Sequence, residues 1–137
     1  MENIVKIINK LDTTYTGNGV GEKAIQMSEE MLGLKFSDEY REYLLNFGVA
    51  CVSGHELTGI CSFPVLDVVD VTLEERKVNS DVPHDLYVVE QNDDDAIIMW
   101  QNQKGEIYIS ENYEKPEKIY NSLGEYITKV KIMMIQE

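Results

Sequence analysis

Met31-Leu32-Gly33-Leu34-Lys35-Phe36-Ser37-Asp38-Glu39-Tyr40-Arg41-Glu42-Tyr43-Leu44-Leu45-Asn46-Phe47-Gly48 is the stretch on which the fold turns. It reads as the close of one helix, a stop, a cap and a second short helix. Ala24, Met27, Met31 and Leu32 share a helical face, and Gly33 follows where a left-handed C-cap is favoured. Ser37 has the side chain to accept from the first free N–H groups of a new helix. The apolar stripe of that helix is Tyr40, Tyr43, Leu44 and Phe47, and Gly48 ends it.

Upstream, Ile4, Val5, Ile8 and Leu11 predict a helix over 3–12. Thr13 to Gly21, with glycines at 17, 19 and 21, reads as loop. Downstream, strands take over. Val49–Val52 and Glu56–Ile60 flank a Ser53-Gly54 turn, and Phe63–Leu66 reads as a further strand. Thr72–Val78 reads as a brief helix capped by Thr72. Leu86–Glu90 and Ala96–Trp100 are near-continuous apolar runs, as in strands covered on both faces. The residues between them, Gln91 to Asp95, make a hairpin loop.

Gln103-Lys104-Gly105 turns the chain into Glu106–Ser110, where Ile107 and Ile109 alternate with polar neighbours as in a half-buried strand. Ser122 and Glu125 form a capping box for a last helix, whose apolar face is Leu123, Tyr126, Ile127, Val130, Met133 and Met134. Helices, then antiparallel strands, then a helix predict an α+β fold. Its antiparallel β-sheet packs against the N-terminal helices and the C-terminal helix. With no repeat, low-complexity run or linker, residues 1–137 are expected to form a single domain.

The chain carries a formal charge of −13, unevenly spread. Between residues 54 and 95 stand Glu56, Asp67, Asp70, Glu74, Glu75, Asp81, Asp85, Glu90, Asp93, Asp94 and Asp95, against only Arg76 and Lys77. Such a field repels nucleic acid and anionic lipid and attracts basic partners; it also simply keeps a protein soluble. No signal-like leader opens the chain, and no apolar run reaches the ~18 residues that span a bilayer. A cytoplasmic location is therefore expected, with Cys51 and Cys61 reduced. Neither a membrane nor direct nucleic-acid contact is expected.

Candidate chemistry is sparse. Cys51, His55 and Cys61, with His84 as a fourth, offer zinc-type donors, but C-x3-H-x5-C lacks the paired knuckles of structural zinc sites. A Cys51–His55 nucleophile would need an electropositive setting, and Val49-Ala50-Cys51-Val52 is apolar. Gly17-Asn18-Gly19-Val20-Gly21-Glu22 lacks the strand before it and the third glycine of a dinucleotide cradle. Asp93-Asp94-Asp95 lacks the alternating oxygens and glycine of a calcium loop. It reads as a solvated hairpin tip or an acidic contact for a cationic partner. No catalytic residue, metal site or cofactor is expected, and the chain reads as a non-enzyme. Tyr113, in the polar run Glu111 to Pro116, is the tyrosine expected to be exposed, and tyrosine is favoured at interfaces.

The segment Glu29–Gly48 resembles the N-terminal motif of the SUKH superfamily, small α+β proteins typified by bacterial immunity proteins and a fungal cell-wall regulator. Leu32, Gly33, Leu34, Phe36, Tyr40, Leu44, Leu45 and Gly48 match its pattern. Ser37 stands where proline is usual, and both suit helix starts. Pro83 to Val89, Gly105 to Tyr108 and the last helix fit the later half. The resemblance implies an immunity protein that binds and neutralises a cognate polymorphic toxin without catalysis. The toxin would be a basic nuclease, and its target the acidic surface of Glu74, Glu75, Asp81, Asp85, Glu90 and Asp93–Asp95, with Tyr113. A regulatory or scaffold binding module of the same fold, without a toxin, is the alternative. Oligomeric state is left open.

Overall fold

The computed structural model describes residues 3–92 and 96–136. The elements run α1 (Ile4–Lys10), β1 (Thr13–Thr16), α2 (Glu22–Leu32), α3 (Asp38–Asn46), β2 (Ala50–Val52), β3 (His55–Glu56), α4 (Val68–Val78), β4 (Tyr87–Asn92), β5 (Ile97–Gln101), β6 (Ile107–Glu111), β7 (Glu117–Tyr120) and α5 (Leu123–Gln136). The strands form two antiparallel sheets, β1-β2-β3 and β4-β5-β6-β7. The fold is α+β, as expected, with the strands divided between two sheets.

The 31–48 stretch folds into the helix end, stop, cap and second helix expected, but Met31, like Met27, is exposed rather than part of a core face: α2 buries Ile25, Ser28, Glu29 and Leu32. Gly33 closes α2 with φ of 68°, and the Leu34 N–H reaches back to the Glu29 carbonyl. The Ser37 hydroxyl caps α3 by accepting from the Tyr40 N–H at 3.0 Å. Helix α3 docks by its tyrosines. Tyr43 Oη donates to the Thr58 carbonyl at 2.8 Å, and Tyr40 Oη lies 2.9 Å from the Thr58 hydroxyl, which donates to the Val88 carbonyl. The rings of Phe36, Tyr40 and Tyr87 meet pairwise at centroid distances of 4.8 to 5.0 Å. Each buries a large apolar area.

One Glu39 carboxylate joins α3 to α5. It accepts from the Leu123 N–H at 2.8 Å and the Gly124 N–H at 3.0 Å, so it satisfies helix-start donors that Ser122 alone cannot reach. Gln101 Nε2 donates to the same carboxylate at 2.8 Å. The capping box also forms: Glu125 N–H donates to the Ser122 hydroxyl, and the Glu125 carboxylate accepts from the Asn121 N–H.

The four-stranded sheet is covered on both faces. Tyr87, Val89, Met99 and Ile107 enter the main core with residues of all five helices. Val88, Ile98 and Trp100 enter a second cluster with Val71 of α4 and with Val82 and Leu86 of the following segment. The apolar runs of β4 and β5 were legible for this reason.

Several expectations are corrected. The strand expected over Glu56–Ile60 is only His55–Glu56, and Gln91 and Asn92 extend β4, paired with Ile98 and Ile97, rather than opening the hairpin loop. Thr13–Thr16 is a strand, not loop; all four residues are exposed, so no buried alternation marks it. Phe63–Leu66 is a turn that folds back on itself, not a strand, with Leu66 and Asp67 N–H groups both donating to the Phe63 carbonyl. Helix α4 starts at Val68, capped by Asp67 rather than Thr72. The Thr72 hydroxyl instead accepts from the Val88 N–H at 3.0 Å, tying α4 to β4. Ser110, expected to face solvent, is buried and accepts from Trp100 Nε1 at 2.9 Å. The β7 strand carried no sequence signal, because three of its four residues are exposed at the sheet edge. Asp93–Asp95 and the side chains of Val130, Met133 and Met134 lie outside the described residues.

Candidate interaction surface

The acidic residues singled out from sequence do not form one patch. Glu74 stands on the outer face of α4, exposed and paired with Lys77 at 3.2 Å. Glu75 is half-buried on the same helix. Asp81 and Asp85 are exposed in the segment that leaves α4. Asp85 borders an open depression of about 570 Å³ against the end of α2, with Glu29, Glu30, Lys35 and His84. Arg76 braces this junction from behind, donating to the Leu32 carbonyl at 3.1 Å and the His84 carbonyl at 2.9 Å.

Glu90 lies elsewhere. Its side chain is 15% exposed and sits 2.9 Å from His55 Nδ1, while Tyr126 Oη donates to it at 2.5 Å. A register shift between Val88 and Glu90 explains this. Val88 pairs with Trp100 and shares its α4-facing cluster, whereas Glu90 pairs with Met99 of the main core. The bulge turns Glu90 away from the α4 side that simple alternation would give it. The interaction joins β3, β4 and α5 in one polar contact, and the nearby carboxylate adds to burial in holding the Tyr126 phenol well above its ordinary range.

Tyr113 is exposed, as expected from sequence. It and Asn112 both have positive φ, 64° and 53°. Asn79, the C-cap of α4, donates to the Glu114 carbonyl at 3.0 Å and so tethers the Tyr113 loop to the end of α4. The tether sets the Tyr113 loop beside the C-terminal end of α4.

Among the described residues no group of three or more His, Cys, Asp or Glu side chains is arranged to hold a metal ion. His55 Nδ1 is engaged by Glu90, and Cys51 and Cys61 are both free thiols. Burial pushes the Cys61 thiol up, which disfavours its nucleophilic thiolate. Among the described residues no helix is long and apolar enough to cross a membrane.

The family model SUKH_5, described as SMI1-KNR4 cell-wall, matches residues 1–132. The chain belongs to the SUKH_5 family. A comparison with curated proteins gave no match. In this SUKH_5 protein the motif residues are structural: Leu32, Phe36, Tyr40 and Leu44 are all buried.

The surface residues sequence reasoning missed are apolar. Phe63, Val65 and Leu73 are exposed near α4, and the sequence pattern of Phe63 and Val65 suggests a strand that the structure replaces with a turn. The Ser62-Phe63-Pro64 order is the signal that could have placed them, since proline disfavours a strand interior.

Proposed function

We propose that this protein is an immunity protein that neutralises a cognate toxin by occupying its surface rather than by catalysis. The observation that carries the reading is a SUKH_5 chain of strong net negative charge: in sequence, eleven of its carboxylates lie between residues 54 and 95 against two basic residues. Nuclease toxins present basic clefts to phosphate backbones, and an acidic protein competes for such a cleft. Glu74, Asp81, Asp85 and Asp93–Asp95 would steer the encounter, and apolar and aromatic contacts such as Tyr113 would supply affinity. Cytoplasmic residence in the toxin-producing cell belongs to the same reading.

Co-expression with the C-terminal domain of a toxin-like protein encoded immediately upstream tests it. Restored growth together with a co-purifying complex is the expected result. Soluble proteins without rescue or complex would overturn the immunity reading. The regulatory or scaffold reading, which the cell-wall description of the family favours, would then stand.

A further inference from the structure

Beside α4 lies a groove of about 420 Å³, bounded by Val65, Val71 and Leu73 and rimmed by Asp70, Glu74 and Gln91. Its apolar wall is held outward by a pinned turn. The Phe63 carbonyl accepts from the Leu66 and Asp67 N–H groups, each at 2.9 Å, and the Gly59 N–H donates to the Leu66 carbonyl at 2.9 Å. The Asp67 carboxylate accepts from the Cys61 N–H, and Gln91 Nε2 donates to the Val65 carbonyl at 3.2 Å. Val65 is left 68% exposed, Phe63 on the same turn 65%, and Leu73 37%. Rigidly displayed apolar side chains bind with little ordering cost. An exposed apolar cluster beside charges marks a contact surface.

The rim selects the occupant. Lys77 pairs with Glu74 on this rim, and Asp70 leaves it a net negative charge within a stretch that is itself strongly negative. A lipid surface or nucleic acid is repelled there, and a second copy of the chain would bring two acidic rims together. Resting on the immunity reading, we infer that this groove docks a cationic amphipathic segment of the protein partner. An apolar side chain of that segment sits on Val65, Val71 and Leu73, and flanking lysines or arginines face Asp70 and Glu74.

The test uses the full isotope-labelled chain and a synthetic amphipathic peptide of lysine and leucine. The expected result is saturable amide shifts confined to residues 63, 65, 66, 70–77 and 91. Val65→Ser with Leu73→Ser weakens binding about tenfold, and Glu74→Lys, a separate exposed variant, weakens it as well. Replacing the leucines of the peptide by glutamine abolishes saturation. Diffuse shifts, shifts centred on the Asp85 depression, or unchanged affinity in the variants overturn the proposal.

The toxin domain supplies a second arm. A toxin complex that keeps its affinity in the Val65→Ser, Leu73→Ser chain overturns the groove and leaves the immunity reading standing. Saturable peptide binding at the groove with no toxin complex upholds the groove and removes the immunity reading.

Discussion

An alanine methyl at Gly59 would lie 1.8 Å from the Gly48 carbonyl oxygen, a backbone atom that cannot swing aside. At Gly48 itself a methyl meets Val20 at 3.5 Å, an ordinary contact, and only the φ of 74° resists it. Gly59→Ala should therefore destabilise by about 3 kcal/mol or more, and Gly48→Ala by about 1–2 kcal/mol, as read from urea midpoints. Asp67 offers a second test. Burial, the largest influence, raises its carboxyl above the ordinary 3.8. Folded Asp67 holds its proton more tightly than the unfolded chain does, so its contribution is present below that value and lost as pH rises through the raised one. Asp67→Asn keeps a cap acceptor and removes the titration. Wild type should lose stability relative to the variant as pH climbs just above 3.8, and a relative gain in urea midpoint would contradict the assignment. Cys61, held up by its own burial, should alkylate with a pH midpoint above that of a free thiol.

Elements were legible wherever one face is buried and the other is not. Helix α3 was readable because Tyr40, Tyr43 and Leu44 are all fully buried at helical spacing. The exposed strands β1 and β7 were not, because pairing is made by backbone groups that sequence does not distinguish. Thr72 misled as a cap because its hydroxyl serves a strand distant in sequence. Glu90 misled because a bulge changed its side of the sheet. The acidic surface was read from composition, which gives charge but not place. The Glu39 contact to α5 spans 84 residues and had no local signal. Glu39→Ala would orphan the Leu123 and Gly124 N–H groups and remove a partner of Gln101. A loss of about 2–3 kcal/mol is expected in urea unfolding. Glu39→Gln, which keeps acceptor capacity at one atom, should lose less.

At the scale of the molecule the charge of −13 governs encounter more than fold. Charge reversal at Asp93–Asp95 should slow association with a basic toxin domain and flatten its dependence on salt in stopped-flow measurements. An unchanged rate and salt slope would remove that loop from the contact. The two core clusters divide the chemistry of the chain as well. Its one tryptophan, Trp100, is fully buried in the second cluster with Tyr108 packed against it, while Tyr40, Tyr43, Tyr87 and Tyr126 lie in the main core. The protein thus carries its own optical reporter of one layer. A change in indole emission that precedes the main change in tyrosine absorbance signals that the layer around Trp100 opens before the main core does.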